Sequence, residues 1–218
     1  MGQRRSVLVS PDDLFVYAGA GIGGAGLIDM YSRNPVTGLL TFSSSYTCMD
    51  GAFKMVMSVD GKSLYTIGNN NLLRMFSRDL VTGALTSIGT VANFWSEGLA
   101  ISPDDKHVYS TCTYTAPANF LSIFSRDLIT GLLTTLSTIS TGVNPWGVQV
   151  SSDGMSVYVA NSTDNTMSLF TRNAVTGILT PMLIPTIATD SFPTNLIVTN
   201  DNNSVYTCNN NRIDQLSR

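Results

Sequence analysis

His107 and Glu97 are the only histidine and the only glutamate in the 218-residue chain. General acid–base chemistry usually works with two titratable groups in reach of each other, and neither residue has such a partner at a telling spacing. No His/Asp/Glu set has metal-ligand spacing, and no Gly-x-Ser-x-Gly elbow occurs. The sequence therefore assigns no catalytic residue, no metal ligand and no cofactor. Glu97 has company of another kind. Trp95 stands two residues before it, and an aromatic face beside a carboxylate suits a sugar or a cation. Similar aromatic-and-polar clusters precede other apolar runs: Ala52-Phe53-Lys54, Asn144-Pro145-Trp146-Gly147 and Ser191-Phe192-Pro193-Thr194-Asn195. The candidate ligand-binding residues are thus Phe53, Lys54, Trp95, Glu97, Asn144, Trp146, Phe192 and Asn195. An aromatic at every entry is equally what a plug over a core would look like.

The elements that position these residues come from a repeat. The phrase Phe-Ser-Arg-Asp-x-x-Thr-Gly-x-Leu-Thr recurs with arginines at Arg33, Arg78, Arg126 and Arg172, and Arg218 stands where a fifth copy would place it. The spacings are 45, 48, 46 and 46 residues. A period of about 40–50 residues with several short strands per unit predicts a β-propeller. In the third copy, Leu99–Ser102 reads as a first strand, Pro103-Asp104-Asp105 as a turn, Lys106–Ser110 as a second strand, Phe120–Ser125 as a third and Leu132–Leu136 as a fourth. Gly131 supplies the positive φ that closes the last hairpin. Tyrosines recur in the second strands at Tyr17, Tyr65, Tyr109, Tyr158 and Tyr206. A residue that returns once per repeat reads as packing between blades.

The expected fold is all-β, one domain over residues 1–218, with repeats at 6–51, 52–98, 99–147, 148–195 and 196–218. It is a propeller of about five four-stranded blades whose last blade is incomplete, either open or part of a larger propeller. Inward first-strand residues are expected to include Val7, Val9, Val56, Leu99, Ile101, Val148, Val150, Leu196 and Val198.

Composition excludes several classes. Charged residues are 12% of the chain, about half the usual share, net charge is −3, and no Lys/Arg cluster exists. A nucleic-acid surface is not expected. No apolar run has the length of a membrane span, and no signal peptide is visible behind Met1. Cys48, Cys112 and Cys208 form neither a disulfide framework nor a zinc motif and read as buried small hydrophobes. The glycine-rich stretch Gly19–Gly26 leads into a strand, not a helix, so it reads as a loop, not a phosphate cradle.

Ser10-Pro11-Asp12-Asp13, Val59-Asp60-Gly61-Lys62, Ser102-Pro103-Asp104-Asp105 and Ser152-Asp153-Gly154, together with the four Arg-to-Thr-Gly segments, resemble the lactonase-like (YVTN-type) β-propeller family. The resemblance covers essentially the whole chain. It implies a propeller, seven-bladed in the family's enzymes, which include sugar-lactone hydrolases and a cycloisomerase. It also implies a His/Arg/Glu cluster at the channel mouth. The chain departs from that pattern. Its one histidine follows the Pro103-Asp104-Asp105 turn, at the far end of its blade from the mouth loops, and replaces the serines Ser63 and Ser156 of other copies. His107 is therefore expected at the surface.

The reading from sequence is a non-catalytic propeller module in binding or structural assembly, of an extracellular or viral type. The alternative is a lactonase-like hydrolase acting on a sugar lactone, or a fragment of one. The expected partners are a protein or a second copy, held through the open edge strand Arg212–Ser217, and a carbohydrate ligand. The compartment is not fixed; a surface or extracellular location is weakly favoured.

Overall fold

Hairpins built on glycine organise the backbone. The computed structural model describes residues 4–20, 26–49, 51–113, 119–210 and 212–217. In the turn after Arg78, Asp79 Oδ1 accepts the N–H groups of Val81 (2.9 Å) and Thr82 (2.8 Å), while the Gly83 N–H donates to the Asp79 carbonyl at 2.9 Å. Gly83 closes the turn at φ +74°, and Gly38, Gly131 and Gly177 do the same at +73°, +76° and +75°. This left-handed region strains any residue with a Cβ, so the recurring Thr-Gly is a backbone requirement.

Each copy of the repeat forms an antiparallel meander. The first sheet runs β1 (Arg4–Val9), β2 (Phe15–Ala20), β3 (Leu27–Arg33), β4 (Leu40–Thr47). The second runs β5 (Lys54–Met57), β6 (Ser63–Ile67), β7 (Leu72–Arg78), β8 (Leu85–Ala92). The third runs β9 (Leu99–Ile101), β10 (His107–Cys112), β11 (Phe120–Arg126), β12 (Leu133–Ser140). The fourth runs β13 (Pro145–Val150), β14 (Ser156–Asn161), β15 (Thr166–Arg172), β16 (Leu179–Ala188). The fifth has three strands: β17 (Asn195–Val198), β18 (Ser204–Cys208), β19 (Ile213–Ser217). The described residues contain no helix, so none is long and apolar enough to cross a membrane. The architecture is a β-propeller of about five blades, the last incomplete. A register shift recurs where each third strand meets its fourth: at Met30/Tyr31, Met75/Phe76, Ile123/Phe124 and Ser168/Phe170.

Two compact units are distinguished. One comprises residues 1–92 and 127–132, the other residues 93–126 and 133–218. In the first, Phe15, Tyr17, Ile28 and Met30 of one sheet pack against Met55, Leu64, Phe76 and Leu85 of the next. In the second, Tyr109, Leu121 and Ile123 meet Val148, Val157, Phe170 and Leu179. There too, Tyr158, Met167 and Leu169 meet Leu196, Val205 and the partly buried Leu216. The second-strand tyrosines do pack between sheets: Tyr17, Tyr65, Tyr109 and Tyr158 are all buried, whereas Tyr206 is half-buried.

Several first-strand expectations need correction. Leu99, Val148, Val150 and Leu196 are buried, and Val56, Ile101 and Val198 are half-buried. Val7 and Val9, however, are exposed, and Leu8 packs on the core instead. Val7-Leu8-Val9 is apolar on both faces, so the sequence pattern cannot choose which face turns inward; a period of two then exposes both valines once Leu8 is buried. Cys48 and Cys112 are buried, but Cys208 is exposed. It ends β18, in the sheet that lacks a fourth strand. None of the three is in a disulfide among the described residues. Within the expected loop Gly19–Gly26, residues 21–25 lie outside the described residues, as do 114–118 of the third copy's loop.

Candidate functional site

The strand entries of the second unit are brought into one row by two glycines. A Cβ at Gly98 would collide with the Trp146 carbonyl, and one at Gly147 would stand 3.0 Å from both Asn195 Cα and the Thr194 carbonyl. Backbone thus abuts backbone at the starts of β9, β13 and β17. This places Glu97-Gly98, Trp146-Gly147 and Thr194-Asn195 side by side.

Hydrogen bonds hold each entry. The Trp95 carbonyl accepts the Thr113 N–H (2.9 Å) and hydroxyl (3.1 Å), and Thr111 Oγ1 accepts the Gly98 N–H at 2.9 Å. Asn144 sits at φ +58° and acts as a hub. Its N–H donates to Asn119 Oδ1 (2.9 Å), its amide to Ser162 Oγ (3.1 Å), and its Oδ1 accepts Trp146 Nε1–H at 3.2 Å. The indole is therefore oriented by the residue two positions before it. Trp95, Glu97 and Trp146 are half-buried, and Asn195 is exposed. Phe192, at φ +56°, is half exposed, with its N–H on Asn165 Oδ1 at 2.9 Å. Beneath the entries, Asn93 Oδ1 and Asn161 Oδ1 are buried without a hydrogen-bond partner among the described residues.

Phe53 and Lys54 belong to the first unit. Phe53 is buried, with the Arg5 guanidinium 4.7 Å from its ring centroid, an arrangement suited to a plug. Lys54 opens β5, and burial holds its ammonium below the usual lysine range.

Sequence reasoning missed a charged cluster at the entry to β17. Arg212 Nε lies 3.0 Å from Asp190 Oδ2 and 3.1 Å from Asp214 Oδ1. Asp214 Oδ2 also accepts the Asp190 N–H and the Asn209 amide (2.7 Å). The Asp190 N–H bond, together with Asn209 and Arg212, keeps the Asp214 carboxyl below its ordinary value despite partial burial. The Arg212 side chain remains two-thirds exposed at 67%. Asn210 N–H donates to the Ser191 carbonyl at 3.1 Å, which ties this cluster to the Phe192 loop. Two carboxylates thus bracket an accessible guanidinium at the same end of the sheet as Asn195.

His107 is not a surface residue. It is 3% exposed, with Nδ1 2.7 Å from Arg172 Nη2. Because a guanidinium can only donate, Nδ1 accepts, and the proton of the neutral ring belongs on Nε2. Burial, then the Arg172 charge, push its pKa down. The serines it replaces, Ser63 and Ser156, are also buried; the position lies beneath the turn glycine of the next repeat, since a Cβ at Gly177 would collide with the His107 ring. Arg172 is the centre of this latch. Its Nε donates to the Tyr109 hydroxyl (2.9 Å), its Nη1 to the Gly154 carbonyl (2.9 Å) and its Nη2 to Asp104 (2.9 Å), while Tyr109 donates to the Gly177 carbonyl (2.9 Å). The first unit repeats it. Arg78 donates to Tyr17 (2.9 Å) and Asp12 (2.6 Å), and Tyr17 donates to the Gly83 carbonyl (2.6 Å). Arg78 and Arg172 thus bind the tyrosine and aspartate of the preceding repeat.

Residues 91–183 match the family model described as lactonase, 7-bladed beta-propeller. No curated protein matches the chain. Among solved structures, a putative 6-phosphogluconolactonase from Bacteroides fragilis superposes with a TM-score of 0.80 at 25% identity, over 89% of this chain and 57% of that one. A putative 6-phosphogluconolactonase from Bacteroides uniformis gives 0.78 at 24%, over 85% and 55%. The periplasmic gluconolactonase of Pseudomonas aeruginosa gives 0.73 at 20%, over 99% and 57%; at this identity it speaks for the fold alone. The chain spans little more than half the length of these three proteins. The chain is thus similar to the lactonase-like β-propellers, with the family match lying over residues 91–183.

Proposed function

We propose that the chain acts on a sugar lactone or a closely related polyol ester, as a lactonase-like hydrolase or as part of one. The observation that carries this reading is the Asp190–Arg212–Asp214 cluster beside the row of entries formed by Glu97, Trp146 and Asn195. Lactone hydrolysis adds water to the ring carbonyl and breaks the ring C–O bond to give the hydroxy acid. An accessible guanidinium can stabilise the oxyanion that forms, and an adjacent carboxylate can take the proton of the attacking water. Asp190 is the better base, because Asp214 is already occupied by three donors. Trp146, oriented by Asn144, offers an apolar face to the sugar ring, and Glu97 an acceptor for its hydroxyls. The neighbour from Bacteroides fragilis, a putative 6-phosphogluconolactonase at 25% identity, supports the same reading.

Binding without turnover is the second reading. It is favoured by one observation: the single histidine is locked beneath Arg172 and Gly177, away from the entries. Glucono-1,5-lactone, followed by titration of released acid, separates the two. Hydrolysis above the spontaneous rate that falls by about a hundredfold or more in Asp190→Asn is the expected result. Saturable binding with no added rate would leave the second reading standing.

A further inference from the structure

Charge is sorted between the two ends of the second unit's sheets. The described lysines and arginines of that unit are Lys106, Arg126, Arg172 and Arg212. Lys106 precedes β10, while Arg126 and Arg172 end β11 and β15. These three lie at the hairpin-turn end, and Arg126 and Arg172 are buried there. Strands of about 20 Å separate them from the entries, more than two Debye lengths of about 8 Å at physiological salt. Arg212 alone stands at the entry end. Its charge is met twice, by Asp190 Oδ2 at 3.0 Å and by Asp214 Oδ1 at 3.1 Å.

Four carboxylates share that end with it. Glu97 lies in the entry to β9. Asp164 belongs to the Trp146 entry: it is exposed, and its Oδ2 accepts the Val143 N–H at 2.6 Å, next to the Asn144 that orients the indole. Asp190 and Asp214 complete the set. Acceptors are in excess beneath the entries as well. Asn93 and Asn161 are 5% and 0% exposed, and the Oδ1 of each is buried with no hydrogen-bond partner among the described residues. A phosphate dianion brings only acceptors and negative charge to such a place. An ammonium brings three donors and no acceptor, and the half-buried indoles of Trp95 and Trp146 offer faces that attract a cation.

We infer that the entry row ranks its ligands by charge: an amino-substituted sugar lactone above the neutral lactone, and the neutral lactone above a phosphorylated one. This rests on the reading of the entries as a sugar-lactone site and adds what that sugar carries. Arg212 is left as a directional N–H donor for the oxyanion, not as an unbalanced charge for a phosphate. The same field favours product release, because hydrolysis turns the lactone into a hydroxy acid whose carboxylate is repelled by the excess of like charge.

The test compares glucono-1,5-lactone, its 2-amino-2-deoxy counterpart and its 6-phosphate, each taken over its spontaneous rate. kcat/KM should rise about tenfold from the neutral to the amino lactone and fall about tenfold or more to the phosphate. Both ratios should shrink toward one as salt is raised from about 0.05 M to about 0.5 M. Asp164→Asn keeps an acceptor for the Val143 N–H. It should narrow the amino-to-phosphate ratio by about threefold and leave turnover of the neutral lactone unchanged. Glucosamine, glucose and glucose 6-phosphate carry the same charges and no ester to hydrolyse; calorimetric titration should find them bound in the same order. That binding order without turnover of any lactone defeats the hydrolase reading and upholds the charge ranking. A phosphorylated ligand used or bound as well as its neutral counterpart overturns the ranking, whatever the turnover. So does failure of all three sugars to bind and of all three lactones to react.

Discussion

Tyr109 and Tyr158 occupy equivalent places in successive sheets, and both are buried almost completely. Tyr109 accepts from Arg172 and donates to Gly177; the Tyr158 hydroxyl has no hydrogen-bond partner among the described residues. The difference shows where a sheet of this repeat ends energetically. A sheet's core is closed by the turn and the fourth-strand leucine of the following repeat, more than its own four strands can close it. Stability is then a chain of nearest-neighbour terms.

The severest way to break the satisfied side is Arg172→Met. It strands Asp104, the Tyr109 hydroxyl and the Gly154 carbonyl together, and chemical denaturation should show a loss of about 3–5 kcal/mol. The contrast is Arg33, half-buried, whose guanidinium donates to the Asp13 carbonyl at 3.1 Å; Arg33→Met should cost under about 1 kcal/mol. Equal losses would mean that the latch carries no special weight.

Substituting the turn glycines comes next. Gly177→Ala combines left-handed strain with a collision on the His107 ring and should cost roughly 2–4 kcal/mol. Gly38→Ala meets open space at a nearly identical φ, so strain alone remains, about 1 kcal/mol. The gap between the two isolates the packing contribution.

Tyr109→Phe should destabilise by about 2 kcal/mol, because Arg172 Nε and the Gly177 carbonyl lose their shared partner. Tyr158→Phe removes a hydroxyl that has no partner among the described residues and should leave the melting temperature unchanged or slightly raised. A matching loss at both positions would show that Tyr158 has a partner in solution.

The smallest effect is in acid. His107 titrates below the ordinary histidine value of 6.5 when folded, mainly through burial and then through Arg172. The unfolded chain therefore binds the proton first, and stability falls as pH drops below about 6.5. Asp104 adds to this at lower pH. Burial alone would raise its pKa, but Ser102 and Arg172 outweigh it and leave the carboxyl below 3.8, so its contribution is lost beneath that value. His107→Gln should remove the first phase of the acid loss and retain the second, as read from melting temperatures between pH 7 and pH 3.

The local half of this architecture was legible because its causes are local. Asp79 and Gly83 satisfy and shape the backbone within five residues of each other, so Asp-x-x-Thr-Gly announces its own turn. The latch was not legible, because Arg172 and Tyr109 lie 63 residues apart. The tyrosine-to-glycine offset, 66 or 68 residues, is the one sequence signal that could have revealed it. His107 was hidden by its serine counterparts, whose polarity suggested a surface that the following turn covers. Asp190 comes from the loop before β17, Arg212 and Asp214 from the start of β19 in the next repeat, and none belongs to the recurring turn phrase. The entry residues Glu97, Trp146 and Asn195 were found from residue type alone; their adjacency rests on Gly98 and Gly147, whose role appears only when the backbones meet.

The recurring register shift has a consequence for solubility. The edge strands β4, β8, β12 and β16 contain no charged residue, so the usual lysine guard against edge-to-edge aggregation is missing. The shift breaks each edge ladder midway and twists it, which spoils the straight row of N–H and C=O groups that a foreign strand would need. In β16, the longest of the four, Pro181 and Pro185 also delete two donors. A chain this poor in charge thus guards its edges by irregular geometry, and straightening that irregularity would be the quickest route to an insoluble protein.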